Sequence, residues 1–254
     1  MRDVAVAGCA GRMGAATVAA VRSAEDMRLV CGIDPQAGAA DFPVYATVEQ
    51  ALENEKFDVL VDFTQPSVVE GNLRAALPAG VDCVVGTTGL GAEKLQELAD
   101  LAPEGTALFF APNFTTGAVL MMQFAEAAAP YFPEAEVIEF HHARKLDAPS
   151  GTAVRTARMI GASRGFESSA PGKETEIEGA TGARGALVDG VPVHSVRSMG
   201  FVAKQEVVFG DMGQSLTITH DSWDRTSYMP GVLLGIRRVG ACSGLVVGLE
   251  TFMD

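Results

Sequence analysis

Val4-Ala-Val-Ala-Gly8-Cys9-Ala10-Gly11-Arg12-Met13-Gly14 is the stretch on which the reading of the fold turns. Four apolar residues lead straight into glycines spaced GxxGxxG, and a helix-compatible run follows from Met13 to Ser23. Glycines at a strand-to-helix turn permit a tight reversal and let the backbone approach a pyrophosphate at the positive end of the helix. The spacing departs from the commoner GxGxxG, so the surrounding residues matter. Asp34 lies 20 residues beyond Gly14, at the end of a second apolar run, Leu29–Ile33. An acid there would accept hydrogen bonds from the ribose hydroxyls of a dinucleotide. Pro35 follows it, and no Arg stands beside it to receive a 2′-phosphate, which favours NADH over NADPH; Arg12 in the loop offers some positive charge.

Further apolar runs follow at Val59–Phe63, Cys83–Val85 and Ala107–Ala111. Helical candidates separate them, near Val48–Asn54, Val68–Ala79 and Ala92–Leu101. Short strands that are apolar throughout suit a parallel sheet covered on both faces. Their alternation with helices predicts a doubly wound α/β domain of the Rossmann type. Three strand ends carry small polar or turn residues: Asp62-Phe63-Thr64, Gly86-Thr87-Thr88-Gly89 and Ala111-Pro112-Asn113-Phe114. Ligands of open α/β sheets bind just beyond the carboxyl ends of the strands, so all three turns are expected to face the cofactor.

After Pro112 the pattern changes. A long apolar helical stretch, Ala118–Ala129, precedes a β-like run at Val137–His141 and a helix candidate from Thr152 to about Arg164. A Gly/Ser/Glu-rich region, 165–190, is readable either as an ordered lid or as a mobile loop. Then come β-like runs at Val193–Arg197, Val202–Phe209 and Ser215–Thr219. This reads as an α+β unit with its own sheet, at 113–224. Met229–Val239 reads as a helix and Leu245–Leu249 as a last strand.

The chain has 254 residues, room for one to two domains. Hydrophobic residues at 48% and charged residues at 20% exclude intrinsic disorder. A net charge of −13 without a Lys/Arg-rich run speaks against a nucleic-acid partner. The longest apolar runs fall short of the ~18 residues of a membrane span, and no signal peptide is visible, so no membrane partner is expected. Cys9, Cys31, Cys83 and Cys242 are scattered, without a CxxC pair, which suits a reducing cytoplasm.

The densest chemistry is Glu139-Phe-His141-His142-Ala-Arg144-Lys145-Leu-Asp147-Ala-Pro149-Ser150-Gly151-Thr152. No Cys or carboxylate set at ligand spacing accompanies the two histidines, so no metal is expected. Ser150 reads as the N-cap of the next helix, whose first N–H groups make an anion site. Basic side chains followed by a helix N-terminus suggest a small carboxylate or phosphate ligand. A solvated basic loop is the plainer alternative.

EFHHARKLDAPSGTA resembles the signature of the 4-hydroxy-tetrahydrodipicolinate reductase (dihydrodipicolinate reductase) family. The likeness runs through VAGCAGRMG, VDFTQP, VVGTTG, APNF, GARG, VPVHSVR, QEVVFG, LTITHDS and DRTSYMPGVLLGIRRV, and is strongest to actinobacterial members. The resemblance implies NAD(P)H-dependent reduction of 4-hydroxy-tetrahydrodipicolinate, a small cyclic dicarboxylate, in lysine and diaminopimelate synthesis. It puts the proton donor on His141 and acid catalysis or substrate holding on Lys145. Substrate contacts fall on His142, Gly151 and Thr152. Cofactor contacts fall on Gly8, Cys9, Ala10, Gly11, Arg12, Met13, Asp34, Gly86, Thr87, Thr88, Ala111, Pro112, Asn113 and Phe114. Many relatives carry a basic residue where this chain has Pro35, a departure that bears on NADPH use. A nicotinamide at the domain cleft, a homotetramer built through the second domains' sheets, and a return of 225–254 to the dinucleotide-binding domain (1–112) are also implied. The rival readings are a reductase of another amino or imino acid and a non-catalytic nicotinamide sensor.

Overall fold

In the computed structural model, which describes residues 1–165 and 182–253, the opening apolar run is strand β1 (Arg2–Ala7). Helix α1 (Arg12–Ser23) follows the glycines, and β2 (Met27–Ile33) pairs parallel to β1. The chain continues through β3 (Val44–Tyr45), α2 (Val48–Asn54), β4 (Val59–Asp62), α3 (Pro66–Ala76), β5 (Asp82–Val85), α4 (Ala92–Ala99) and β6 (Ala107–Phe110). All these strands are parallel, in the order β6-β5-β4-β1-β2-β3. The order reverses between β1 and β4, the place where doubly wound sheets bind their ligands.

Burial on both faces explains the uniformly apolar strands. Val4, Ala5, Val6 and Ala7 are all fully buried. Ala5, Ala7, Cys31, Ile33, Leu60 and Val85 share one cluster with Val48 and Ala51 of α2, Val69 and Leu73 of α3, and Leu95 and Leu98 of α4. Local signals set the helix starts: Thr47 caps α2 by accepting from the Gln50 N–H at 3.3 Å, and Pro66 opens α3. The two-residue edge strand β3 was not expected, because two half-buried residues carry no readable periodicity.

The second unit opens with α5 (Thr116–Ala128) and β7 (Glu134–His141), then α6 (Gly151–Ser163), β8 (Ala186–Val188), β9 (Val191–Arg197), β10 (Ala203–Asp211) and β11 (Gln214–Ser222). Its sheet has the order β11-β10-β7-β9-β8, with β7 and β9 parallel and the remaining pairs antiparallel. Burial alternates along the strands: Ala135, Val137 and Glu139 of β7, and Gln205, Val207 and Phe209 of β10, are buried. Helix α6 crosses over between β7 and β9 and lies against both. Of the Gly/Ser/Glu-rich stretch, residues 166–181 lie outside the described residues, and the remainder supplies β8.

The chain then forms α7 (Met229–Val239), packed against α1 and β5, and β12 (Gly244–Val247), which pairs parallel to β6 as the seventh strand of the first sheet. The units are Met1–Thr116 with Arg225–Asp254, and Gly117–Asp224. Among the described residues no helix is long and apolar enough to cross a membrane.

Candidate active site

The first unit gathers the glycine turn and three strand-end turns at the carboxyl edge of its sheet. Gly8 has φ +75°, and a Cβ on it would lie 2.6 Å from the Phe63 carbonyl oxygen. A Cβ on Gly14 would lie 2.0 Å from the Gly8 carbonyl oxygen, so α1 can begin directly under the turn only with glycine there. That same Gly8 oxygen accepts from the Gly11 N–H at 2.9 Å. Ala10, Gly11 and Arg12 are exposed along the turn, with Met13 half-buried, while Cys9 is buried and its thiol is pushed up by burial and then by the Asp34 charge. Asp34 stands just past β2, where it accepts from the Ala10 N–H (3.1 Å) and the Gln36 N–H (2.9 Å). The acid and the glycine turn are thus one hydrogen-bonded assembly.

A second carboxylate organises the neighbouring turns. Asp62, fully buried at the end of β4, accepts from Thr64 N–H (3.0 Å), Thr64 Oγ1 (2.7 Å), Thr87 Oγ1 (2.7 Å) and Asn72 Nδ2 (2.7 Å). It ties the turn after β4 to Gly86-Thr87-Thr88 after β5. After β6, Ala111 and Phe114 are buried and Pro112 is exposed. The Phe114 ring meets Phe63 and Phe109 edge-on at 5.7 Å each, and Asn113 Oδ1 accepts from the Thr115 N–H at 2.8 Å.

In the second unit, β7 ends at His141. Glu139, two residues earlier and therefore on the same face of the strand, is fully buried. Its Oε2 meets His141 Nδ1, and its two oxygens accept from Arg197 NH1 (2.8 Å) and NH2 (2.7 Å). Arg197 is opposite His141 in the parallel pairing of β7 with β9. Burial raises the Glu139 carboxyl, but hydrogen bonds from Arg197, Ser195 and His141 outweigh it and leave it below the ordinary range. Burial pushes the His141 imidazole down; Glu139 opposes that, while the charges of Lys145 and Arg197 reinforce it.

The loop after β7 exposes His142 and turns with the Lys145 N–H donating to the His142 carbonyl at 3.0 Å. Lys145 Nζ bonds both carboxylate oxygens of Asp147 at 2.8 Å. Past the cis Ala148–Pro149 bond, Ser150 caps α6 by accepting from the Ala153 N–H at 3.2 Å, and Gly151 and Thr152 form the first turn. His141, His142, Lys145, Gly151 and Thr152 therefore lie on one strand end, loop and helix start.

Glu139 entered the sequence reading only as the first residue of the dense segment, without a role, and Arg197 had none. Two-residue alternation along a strand could have placed Glu139 beside His141, whereas the register that brings in Arg197 has no local signature. Among the described residues no group of three or more His, Cys, Asp or Glu side chains suits a metal ion.

Family profiles match nearly the whole chain: "Dihydrodipicolinate reductase, N-terminus" over residues 2–114 and "Dihydrodipicolinate reductase, C-terminus" over 117–253. A 4-hydroxy-tetrahydrodipicolinate reductase of Listeria welshimeri is 48% identical, covering 99% of both chains. One from Mycolicibacterium vanbaalenii is 47% identical over 99% of this chain and 98% of the relative. Among solved structures, a dipicolinate-bound dihydrodipicolinate reductase from Paenisporosarcina sp. TG-14 superposes with a TM-score of 0.89 at 42% identity, covering 99% of each chain. A probable dehydrogenase from Thermotoga maritima shares the fold alone, with a TM-score of 0.62 at 12% identity.

Proposed function

This chain belongs to the dihydrodipicolinate reductase family of nicotinamide-dependent oxidoreductases in lysine and diaminopimelate synthesis, and from that premise we propose how its own residues reduce 4-hydroxy-tetrahydrodipicolinate to tetrahydrodipicolinate. The observation that carries the reading is His141, gripped by a buried carboxylate and followed on one loop by Lys145 and the start of α6.

The first unit fits a dinucleotide. A side chain at Gly14 would collide with the turn's own backbone and one at Gly8 with the backbone of the turn after β4, so the loop keeps bare backbone for a pyrophosphate. Gly8, Cys9, Ala10, Gly11, Arg12 and Met13 would line the phosphates. Gly86, Thr87, Thr88, Ala111, Pro112, Asn113 and Phe114 would flank the remainder. Asp34, fixed to the Ala10 and Gln36 amides, would accept from the ribose hydroxyls. Because Pro35 offers no charge to a 2′-phosphate, NADH is the favoured cofactor. The reduced nicotinamide, when bound, supplies the hydride.

The second unit handles the substrate and the proton. The substrate is a small cyclic dicarboxylate; loss of its 4-hydroxyl as water leaves a ring carbon–carbon double bond conjugated to the imine, and hydride addition to that bond leaves negative charge on the ring. His141 quenches that charge with a proton, and Lys145 stabilises it electrostatically. Lys145 and the N–H groups of Gly151 and Thr152 bind the carboxylates by charge-assisted hydrogen bonds, with His142 as a further contact. A substrate carboxylate would take the place of Asp147 on the Lys145 ammonium, exchanging one ion pair for another. Lys145 thus serves both binding and charge stabilisation.

The test is a coupled assay. Aspartate semialdehyde, pyruvate and the preceding synthase generate the unstable substrate, and nicotinamide absorbance is followed with NADH and NADPH separately. Substrate-dependent oxidation with higher kcat/KM for NADH is expected. Equal or better efficiency with NADPH would refute the cofactor preference, and no oxidation of either would refute the reaction.

A further inference from the structure

We propose that Glu139 and Arg197 are positioning residues, an ion pair between a fully buried carboxylate and a half-buried guanidinium that grips His141 through Nδ1 and so makes Nε2 the atom that delivers the proton. The proposal rests on His141 being the acid of the reaction above.

Both oxygens of the Glu139 carboxylate are engaged. Oε2 meets His141 Nδ1 and Arg197 NH1 (2.8 Å); Oε1 accepts from Arg197 NH2 (2.7 Å) and from the Ser150 N–H (3.2 Å). Arg197 NH1 also donates to the Val196 carbonyl (2.9 Å), and NH2 to the Asp147 carbonyl (2.6 Å). The pair therefore holds His141 at one end of the 142–150 loop, and Asp147 and Ser150 at the other. Lys145 hangs between those fixed points, so one ionic contact sets the acid, the cation and the start of α6 relative to one another.

Stability alone explains this poorly. Burying an ion pair costs desolvation that well-packed apolar side chains would avoid, and such replacements are often neutral or stabilising. Orientation of the imidazole explains it better. A carboxylate can only accept, so neutral His141 keeps its hydrogen on Nδ1 and leaves the Nε2 lone pair open. In the proton step the Nε2–H bond of the imidazolium breaks, its electron pair stays on Nε2, and the proton forms the new C–H bond on the substrate. Water then reprotonates Nε2, with Nδ1–H held on Glu139 throughout.

The first test uses the native chain labelled with ¹⁵N-histidine, whose four histidines allow assignment by comparison with His141→Gln. Neutral His141 should be the Nδ1–H tautomer; an Nε2–H tautomer overturns the proposal. The second test compares Glu139→Gln and Arg197→Lys with the native enzyme. We expect kcat to fall about 10- to 100-fold, part of the contribution of a general acid, with KM for the dinucleotide within about twofold. The charged groups acting on His141 are Glu139, Lys145 and Arg197. Loss of the Glu139 charge should therefore move the descending limb of the kcat profile to lower pH. Unchanged kcat and an unmoved limb, with only thermal stability lowered, would make the pair structural and overturn the proposal. A full-rate His141→Ala enzyme would instead overturn the underlying assignment of the acid. Should Glu139→Gln fail to fold, the ¹⁵N spectrum of the native chain decides alone.

Discussion

At the scale of single residues, the proton affinity of His141 is a competition with a readable sign. Burial lowers it first; Glu139 raises it, and Lys145 and Arg197 lower it again, leaving a net value below the ordinary 6.5. With His141 as the proposed proton donor the protonated form is the productive one, so activity should be lost as pH rises through that value. The kcat/KM profile, which reports the free enzyme, should descend with a midpoint below 6.5. Bound dicarboxylate adds negative charge beside the imidazole, so the corresponding limb of kcat should lie at higher pH. A kcat/KM limb above the ordinary histidine value would contradict the balance. Replacing His141 by Ala should lower kcat about 10²–10⁴-fold, the range for losing one general acid, and remove the limb. Much of this was legible early: two histidines, two cations and a helix cap crowd one short segment of an acidic chain. The partner that completes the site was not, because Arg197 lies 58 residues from Glu139 and meets it only through the β7–β9 register.

Elements read well from sequence in proportion to how completely they are buried. The four-residue cores of β1, β4 and β5 are fully or nearly fully inaccessible, and the apolar runs within them, Val4–Ala7, Val59–Val61 and Cys83–Val85, pointed to both the parallel sheet and its wrapping helices. Helix α7 matches its expected span, Met229–Val239, where Val232, Ile236 and Val239 recur at helical spacing on one buried face. Short edge strands escaped notice: β3 and β8 expose or half-expose their residues and owe their form to a neighbour's backbone. Helix α6 depends on a local device that could be named in advance, the Ser150 cap. Its hydroxyl accepts from the Ala153 N–H, while its own N–H reaches Glu139. Ser150→Ala removes only the first bond. It should cost about 1 kcal/mol, and for a chain of this size that corresponds to a fall in Tm of about 2–4 °C. The change loosens the helix start that would bind substrate carboxylate, so KM for substrate should rise while KM for the dinucleotide holds. Calorimetry and steady-state kinetics check the pair, and a Tm unchanged within a degree would mean the cap adds nothing.

At the scale of the whole molecule, the face of the second sheet that alternates with its buried residues bears on assembly. Ile138 of β7, Val196 of β9 and Val208 of β10 lie there half-buried. Several charges on and beside this face are already paired: Lys204 with Glu206 at 2.7 Å and Glu136 with Arg184 at 2.7 Å, while His194 Nε2 lies 2.9 Å from Glu136. Ion pairs already closed on one chain lessen the penalty for covering them, and half-exposed β-branched side chains gain by it. The opposing effect is global, since a net charge of −13 repels like copies over a distance that salt shortens. We propose that the homotetramer implied by the family resemblance is joined through these faces; its mass should be about four times the 26.5 kDa of one chain, and it should tighten as ionic strength rises from ~0.01 M to ~0.15 M. Val208→Glu places a new, unpaired carboxylate at the centre of the face and should shift the sedimentation profile to smaller species at equal concentration, with far-UV circular dichroism unchanged. A folded variant that keeps the fourfold mass would move the interface elsewhere on the chain, and a native protein that sediments as a single chain at micromolar concentration would end the tetramer reading.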